Sequence, residues 1–186
     1  ANQYFFTYGA QHVQEITDTT ISGLREYFSD ALETGKAVEQ MEDELADIIG
    51  LTEKQVRKAG GMTAEEAAIL RPDQHMARMN TIARTETGIA ANAANSQAAD
   101  ILAASGKIKL SKQWLSALDW RTRRIPGQLF DHVTMNGKTV PKGSPYSVTG
   151  VNGVEKLMFP MDPLGSPANI INCRCTEVFI PVRKQG

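Results

Sequence analysis

From His12 to Leu32 the apolar residues Val13, Ile16, Ile21, Leu24, Tyr27, Phe28, Ala31 and Leu32 return at three- and four-residue steps, the spacing that lines one face of an α-helix. Gly35 closes this stretch. A second, acidic helix follows, with Val38, Met41, Leu45, Ile48 and Ile49 on one face and Gly50 at its end. "LTEKQVRKAGG" predicts a short helix capped by Thr52, and Thr63 with Glu66 forms a capping box for "AEEAAIL", which stops before Pro72. Pro72-Asp73 opens the longest helical pattern, which runs to about Ala104. Its centre, "GIAANAANSQAAD", consists largely of alanine and asparagine. Side chains this small let another backbone approach, so the helix is expected to be packed on more than one side.

Beyond Gly106 the pattern shifts to short β-type runs separated by Pro and Gly: "SKQWLSAL", "DHVTMNG", "KTV", "YSVTGV", "EKLMFP" and "CTEVFIPV". Met135-Asn136-Gly137-Lys138 carries the sharpest hairpin motif, because Asn-Gly readily takes the positive φ angles of a type I′ turn. The implied fold class is α+β, with an acidic helical region over residues 1–75. A long central helix is then packed with a small, mostly antiparallel sheet with long loops over residues 76–186.

At 186 residues, 41% of them hydrophobic and 22% charged, the chain can bury one globular core and does not resemble a disordered polymer. Nothing approaches the roughly 18 apolar residues of a membrane span, and the opening "ANQYFF" lacks the flank of a signal peptide. A soluble protein made in the cytoplasm, with no membrane partner, is the expectation. Charge divides the chain: residues 1–75 hold 6 Lys/Arg against 14 Asp/Glu, whereas residues 76–186 hold 14 against 7. Such asymmetry suits either two halves that attract each other or a basic half that faces nucleic acid or an acidic protein. On the second reading Arg121, Arg123, Arg124, Lys138 and Lys142 are the candidate contacts to non-specific double-stranded DNA.

The only two cysteines stand one residue apart in "NCRC", at positions 172–175. In an extended segment Cys173 and Cys175 share one face, and Asn172 and Arg174 take the other. Two thiols on a face can bind zinc, but a tetrahedral structural site wants four ligands. Of the three histidines, His12, His75 and His132, only His132 lies in the same β-rich half. The expectation is therefore packing, with no metal and no cofactor, and "NCRC" as the closing strand of the domain. Alternation would place Asp119, Arg121 and Arg123 on one side, so Asp119 could orient a guanidinium. The sequence lacks G-x-S-x-G, a Walker loop, H-E-x-x-H and a zinc-deaminase pattern. Asp131 next to His132 is a poor base pair in a strand, where neighbours face apart, and Arg84-Thr85-Glu86 reads as a buried ion pair rather than a catalytic acid.

Taken in order, "IARTETGIAANAANSQ" (82–97), "KQWLSALDWRTR" (112–123), "DHVTMNGKTV" (131–140) and "LMFPMDPLGSPANIINCRC" (157–175) resemble the phage Mu F-like family of head morphogenesis proteins, the minor head proteins of tailed phages. The likeness covers roughly residues 76–180, and the first 75 residues carry no motif of it. On the matching positions it marks Arg84, Thr85, Glu86, Trp114, Asp119, Arg121, Thr122, Arg123, His132, Gly137, Asp162, Pro163, Asn172, Cys173, Arg174 and Cys175 as motif residues. The family pattern brings its histidine a few residues after "R-T-R", whereas here "RIPGQLFD" separates Arg123 from His132. The resemblance implies a non-enzymatic component of the virion near the portal, assembled in the host cytoplasm, whose partners are the portal protein and other head proteins. It also implies a role in DNA packaging or delivery. A different class is implied by toxins that carry such a domain and by a likeness to ADP-ribosyltransferases. A transferase of that kind wants a Glu-x-Glu element, and the basic half has none; Glu42-Asp43-Glu44 has the spacing but reads as a solvated helix face. A zinc nuclease lacks a sufficient ligand set.

Overall fold

The computed structural model of the chain describes residues 18–38, 40–41, 44–45, 72–106, 108–124, 130–150 and 153–182. Two compact units divide the chain, Ala1–Thr87 and Gly88–Gly186, and the boundary falls inside a helix. In the first unit, α1 (Asp18–Thr34) turns Leu24, Phe28 and Ala31 inward, as their spacing requires. Gly35, at φ +69°, ends it: Gly35 N–H donates to Leu32 O at 3.3 Å and Lys36 N–H to Ala31 O at 2.9 Å, the paired bonds of a Schellman turn. Met41 and Leu45 are buried, as the acidic-helix pattern expects, and the first part of α2 (Pro72–Ala104) adds Met79, Ile82 and Ala83 to the core. Most of the acidic helix, the residues before Asp18 and both short capped helices fall outside the described residues.

The second unit is built on β1 (Lys109–Leu115), β2 (Thr139–Pro141), β3 (Tyr146–Gly150), β4 (Gly153–Leu157), the single turn α3 (Pro167–Ile170) and β5 (Thr176–Val182). Strand β1 lies between β2 and β5, antiparallel to both, while β3 and β4 form a separate antiparallel pair closed at Gly150 and Gly153. Alternation along β1 sends Leu110, Lys112 and Trp114 inward. Trp114 is fully buried and shares the core of this unit with Tyr146, Val148, Leu157, Met161 and Ile170. Helix α2 buries Ile89, Ala90, Asn92, Ser96 and Ala99 here, while Ala91, Asn95, Gln97 and Ala98 stay exposed. The expected packing on several sides therefore becomes one face. The asparagines explain the bias: Asn92 Nδ2 donates to Cys175 O at 3.1 Å and Asn95 Nδ2 to Glu177 O at 3.0 Å, so their amides fasten the helix to the chain entering β5.

Three sequence expectations change. "DHVTMNG" forms successive turns with one isolated bridge, Asp131 to Thr149, rather than a strand. Gly137 has φ +80° but Asn136 is not in the positive region, so the type I′ hairpin does not form. The reason is docking onto the end of β1: Asn136 Oδ1 accepts from Ser116 N–H at 3.0 Å, and Gly137 N–H donates to Trp114 O at 2.8 Å. Finally, residues 173–175 are the extended approach to β5, which itself starts at Thr176.

Candidate functional site

The site begins where α3 ends. Asn172 adopts φ +57°, a left-handed conformation that asparagine tolerates better than most residues, and this turns the chain into the extended run that follows. Alternation then works as the sequence suggested: Cys173 and Cys175 are buried and Arg174 is half-exposed. His132 meets them from a separate stretch, positioned by amides of His132 and Val133 that both donate to Arg123 O, at 2.9 and 3.1 Å. Its Nδ1 lies 3.4 Å from Cys173 Sγ and 3.6 Å from Cys175 Sγ. All three donor atoms fall within 4.8 Å of one another, and the residues are 1%, 5% and 4% exposed. The Cys175 amide also donates to Cys173 Sγ at 3.4 Å.

Around this cluster the groups fix one another. His132 Nε2 lies 3.0 Å from Asn169 Oδ1, and Trp114 closes one side with its ring edge-on to the imidazole at 5.6 Å. Burial works to raise the Glu155 carboxyl, but bonds from the Ser166 hydroxyl (2.6 Å) and amide (2.9 Å), helped by Asn169, hold it below its usual range. Asn169 meets His132 through its oxygen, while its Nδ2 is buried near Glu155 without a hydrogen bond in good geometry. The two thiols divide unequally. Cys173 is pushed well up, chiefly by hydrogen bonding to Cys175 and by burial, while that same bond pulls Cys175 down, with His132 and Trp114 contributing. Arg123 is half-buried, and loss of solvent lowers its pKa against the opposing pull of the two sulfurs; its guanidinium donates to Ile171 O and stacks over Phe130 at 5.2 Å.

The rim is an ion pair. Residues 116–124 form no strand and the chain turns at Trp120-Arg121, so the expected alternation of Asp119, Arg121 and Arg123 gives way to a different arrangement. Asp119 Oδ1 accepts from the Arg121 amide at 2.9 Å and the Thr122 hydroxyl at 3.3 Å. Arg174 grips the carboxylate with both terminal nitrogens, Nη2 to Oδ1 at 2.6 Å and Nη1 to Oδ2. This pairing, ahead of the other contacts, holds Asp119 far below the usual carboxylate range. Arg121 Nη2 is more distant, at 3.7 Å.

The five basic residues singled out as DNA contacts separate. Arg121, Arg124 and Lys138 are exposed, and Arg124 Nη2 donates to Asp119 O at 2.8 Å. Arg123 faces inward, and Lys142 is buried with Nζ 2.6 Å from Asp100. Asp162 ties its own loop, accepting from Met158 N–H at 2.7 Å and Leu164 N–H at 3.0 Å, which gives the "P-x-D-P" motif a structural use. Arg84 and Glu86 fall in the first unit, where Glu86 is buried and Arg84 half-exposed.

Sequence reasoning passed over two features. Asn169 gave no motif of its own. Lys112 did: it shares the inward parity of Trp114 in β1, and in the structure it is fully buried, donates to Met158 O and lies 4.9 Å over the Tyr146 ring near Glu177.

Chemically, a histidine nitrogen and two sulfurs brought together in a buried site can hold a soft metal ion or lock two chain segments by weak hydrogen bonds. The model of the family described as Phage Mu protein F like protein matches residues 22–178. The matched region therefore reaches back into α1, well before the motifs that carry the resemblance. No curated protein and no solved structure matches the chain.

Proposed function

Since the chain belongs to the phage Mu protein F-like family, a structural family of phage heads, we propose that it is a minor head protein that acts in head morphogenesis near the portal without catalysing a reaction. The match over residues 22–178 carries this reading. The disposition of the motif residues supports it: Asp119, Arg174, Arg123, His132 and Asp162 bond mainly to one another and to backbone groups of their own unit. Such bonds fix loops. The partners are the portal protein and neighbouring head proteins, and the place of action is the assembling head in the host cytoplasm and then the virion.

Non-specific contact with packaged DNA falls to the basic residues left at the surface, Arg121, Arg124 and Lys138. In the full chain, Arg121→Ala and Arg124→Ala should each lower the slope of log K against log salt by about one, whereas Lys142→Ala should leave it unchanged. Equal effects of all three would remove the assignment.

The direct test is co-expression of the full chain with the portal protein encoded beside it. A complex that survives size-exclusion chromatography is expected, together with no NAD cleavage and no nuclease turnover with Mg²⁺ or Zn²⁺. Robust turnover lost in His132→Ala, with no portal complex, would overturn the reading.

A further inference from the structure

The packing account of the cysteines leaves one observation unexplained: three lone-pair donors lie within 4.8 Å of one another in the core. Apolar side chains of similar volume would fill the same space. In a tetrahedral zinc site with Zn–S of about 2.3 Å and Zn–N of about 2.05 Å, the nitrogen–sulfur edge is about 3.6 Å. The two edges present are 3.4 and 3.6 Å.

The surroundings agree with a ligand set. A histidine that binds metal through one nitrogen gives its other N–H to a fixed acceptor. Here Nε2 faces Asn169 Oδ1 at 3.0 Å, which leaves Nδ1 as the lone pair directed at the sulfurs. Glu155, itself fixed by Ser166, is close enough to Asn169 to favour its nitrogen on that side, although Asn169 Nδ2 makes no hydrogen bond in good geometry. The Cys175 amide at 3.4 Å from Cys173 Sγ is a donor of the sort that stabilises negative sulfur. Trp114, fully buried, covers the imidazole.

From this geometry we propose that His132 Nδ1, Cys173 Sγ and Cys175 Sγ bind one zinc ion per chain, with a water in the fourth position. Among the described residues no further His, Cys, Asp or Glu joins the cluster. Both cysteines bind as thiolates, so uptake by the protein releases thiol protons to solvent. The ion joins the turn at His132 to the approach to β5 and acts as a clasp for the second unit.

The test starts with the intact wild-type chain, purified without chelator and analysed for metal, then stripped and titrated with Co²⁺. One equivalent of zinc is expected, and cobalt should give the intense visible bands of a tetrahedral site together with sulfur-to-metal charge transfer in the near ultraviolet. Zinc re-addition should bleach them and raise the melting temperature of the stripped protein. Cys173→Ser and Cys175→Ser should each lose the charge-transfer intensity; should either variant fail to fold, the wild-type cobalt spectrum still reads the thiolate ligands. Absence of bound zinc and of cobalt bands in the folded wild-type chain would overturn the proposal, as would cobalt bands unchanged in both folded variants.

Discussion

Asp119 and Arg174 form an ion pair in the second unit, whereas Lys112 and Glu177 attract each other there without meeting in one; burial opposes every one of these charges, but it prevails only over the second set. The first sits at a half-exposed rim, where the Arg174 bond drives Asp119 down and Arg174 up, so each charge is more favourable folded than in water. The second lies in the core, 0% and 2% exposed. There burial lowers Lys112 and raises Glu177, in both cases outweighing the attraction between them. No hydrogen-bond donor among the described residues meets either Glu177 oxygen in good geometry, although Lys112, Tyr146 and Ser96 are close enough to favour the charge. One pair rewards its own formation; the other depends on the fold around it. A buried pair of the second kind contributes less to net stability than to deciding which loop lies where. Lys112 illustrates this, since its ammonium also donates to Met158 O at the head of the loop tied by Asp162.

Breaking the buried pair should have the largest effect. Lys112→Met takes from the buried Glu177 the cation that most favours its charge, and from Met158 O its donor, and a loss of about 3 to 5 kcal/mol is expected in denaturant melts. Removing both charges, as Lys112→Met with Glu177→Leu, should restore most of that loss, because two desolvation costs disappear together. If the single variant costs under about 1 kcal/mol, the core pair is hydrated and the contrast with the rim pair collapses.

The same loop can be loosened without touching charge. Alanine usually stabilises a helix relative to glycine by roughly 0.5 to 1 kcal/mol. At Gly88, however, an added Cβ would stand 2.7 Å from Met161 Sδ and 2.8 Å from its Cε, and Met161 is buried with φ +64°. Gly88→Ala should therefore cost about 1 to 3 kcal/mol. In a Met161→Ala background the sign should reverse. An additive cycle would show that the loop is held by Lys112 and Asp162 alone.

Legibility in the sequence followed locality. The α1 face, the Gly35 and Gly106 stops and the inward parity of both cysteines rest on spacing within one segment, and all appear in the structure. The hairpin at Asn136-Gly137 failed because a contact far along the chain, with Ser116 and Trp114, outweighed a local turn preference. His132 could be named as the best-placed histidine, but its approach to the sulfurs spans 41 and 43 residues and no periodicity encodes it. Asn172 and Asp162 were visible as motif letters; that one bends the chain and the other ties a loop required coordinates. Lys112 was readable and was missed, since a lysine suggests an outer face until its position two residues before Trp114, on the same side of the strand, is counted.

The rim pair offers the smallest effect and the cleanest sign. Asp119 has a folded pKa far below its unfolded value, so the folded chain binds fewer protons than the unfolded chain in acid. Its contribution is complete above the unfolded carboxylate pKa of about 3.9, and it is lost as pH falls below that toward the folded value. Stability measured by urea melts between about pH 6 and 3 should decline for the wild-type chain, and Asp119→Asn should show a shallower acid limb with lower stability at neutral pH. Salt should narrow the difference, because the carboxylate and guanidinium are about a third exposed at 34% and 28%. Arg174→Lys tests the geometry separately: an ammonium keeps the charge but cannot make the two-pronged bond, so it should recover only part of the acid limb. Full recovery by lysine would mean that Asp119 answers to charge alone, and that the forked contact between "D-x-R-T-R" and "NCRC" has no energetic role.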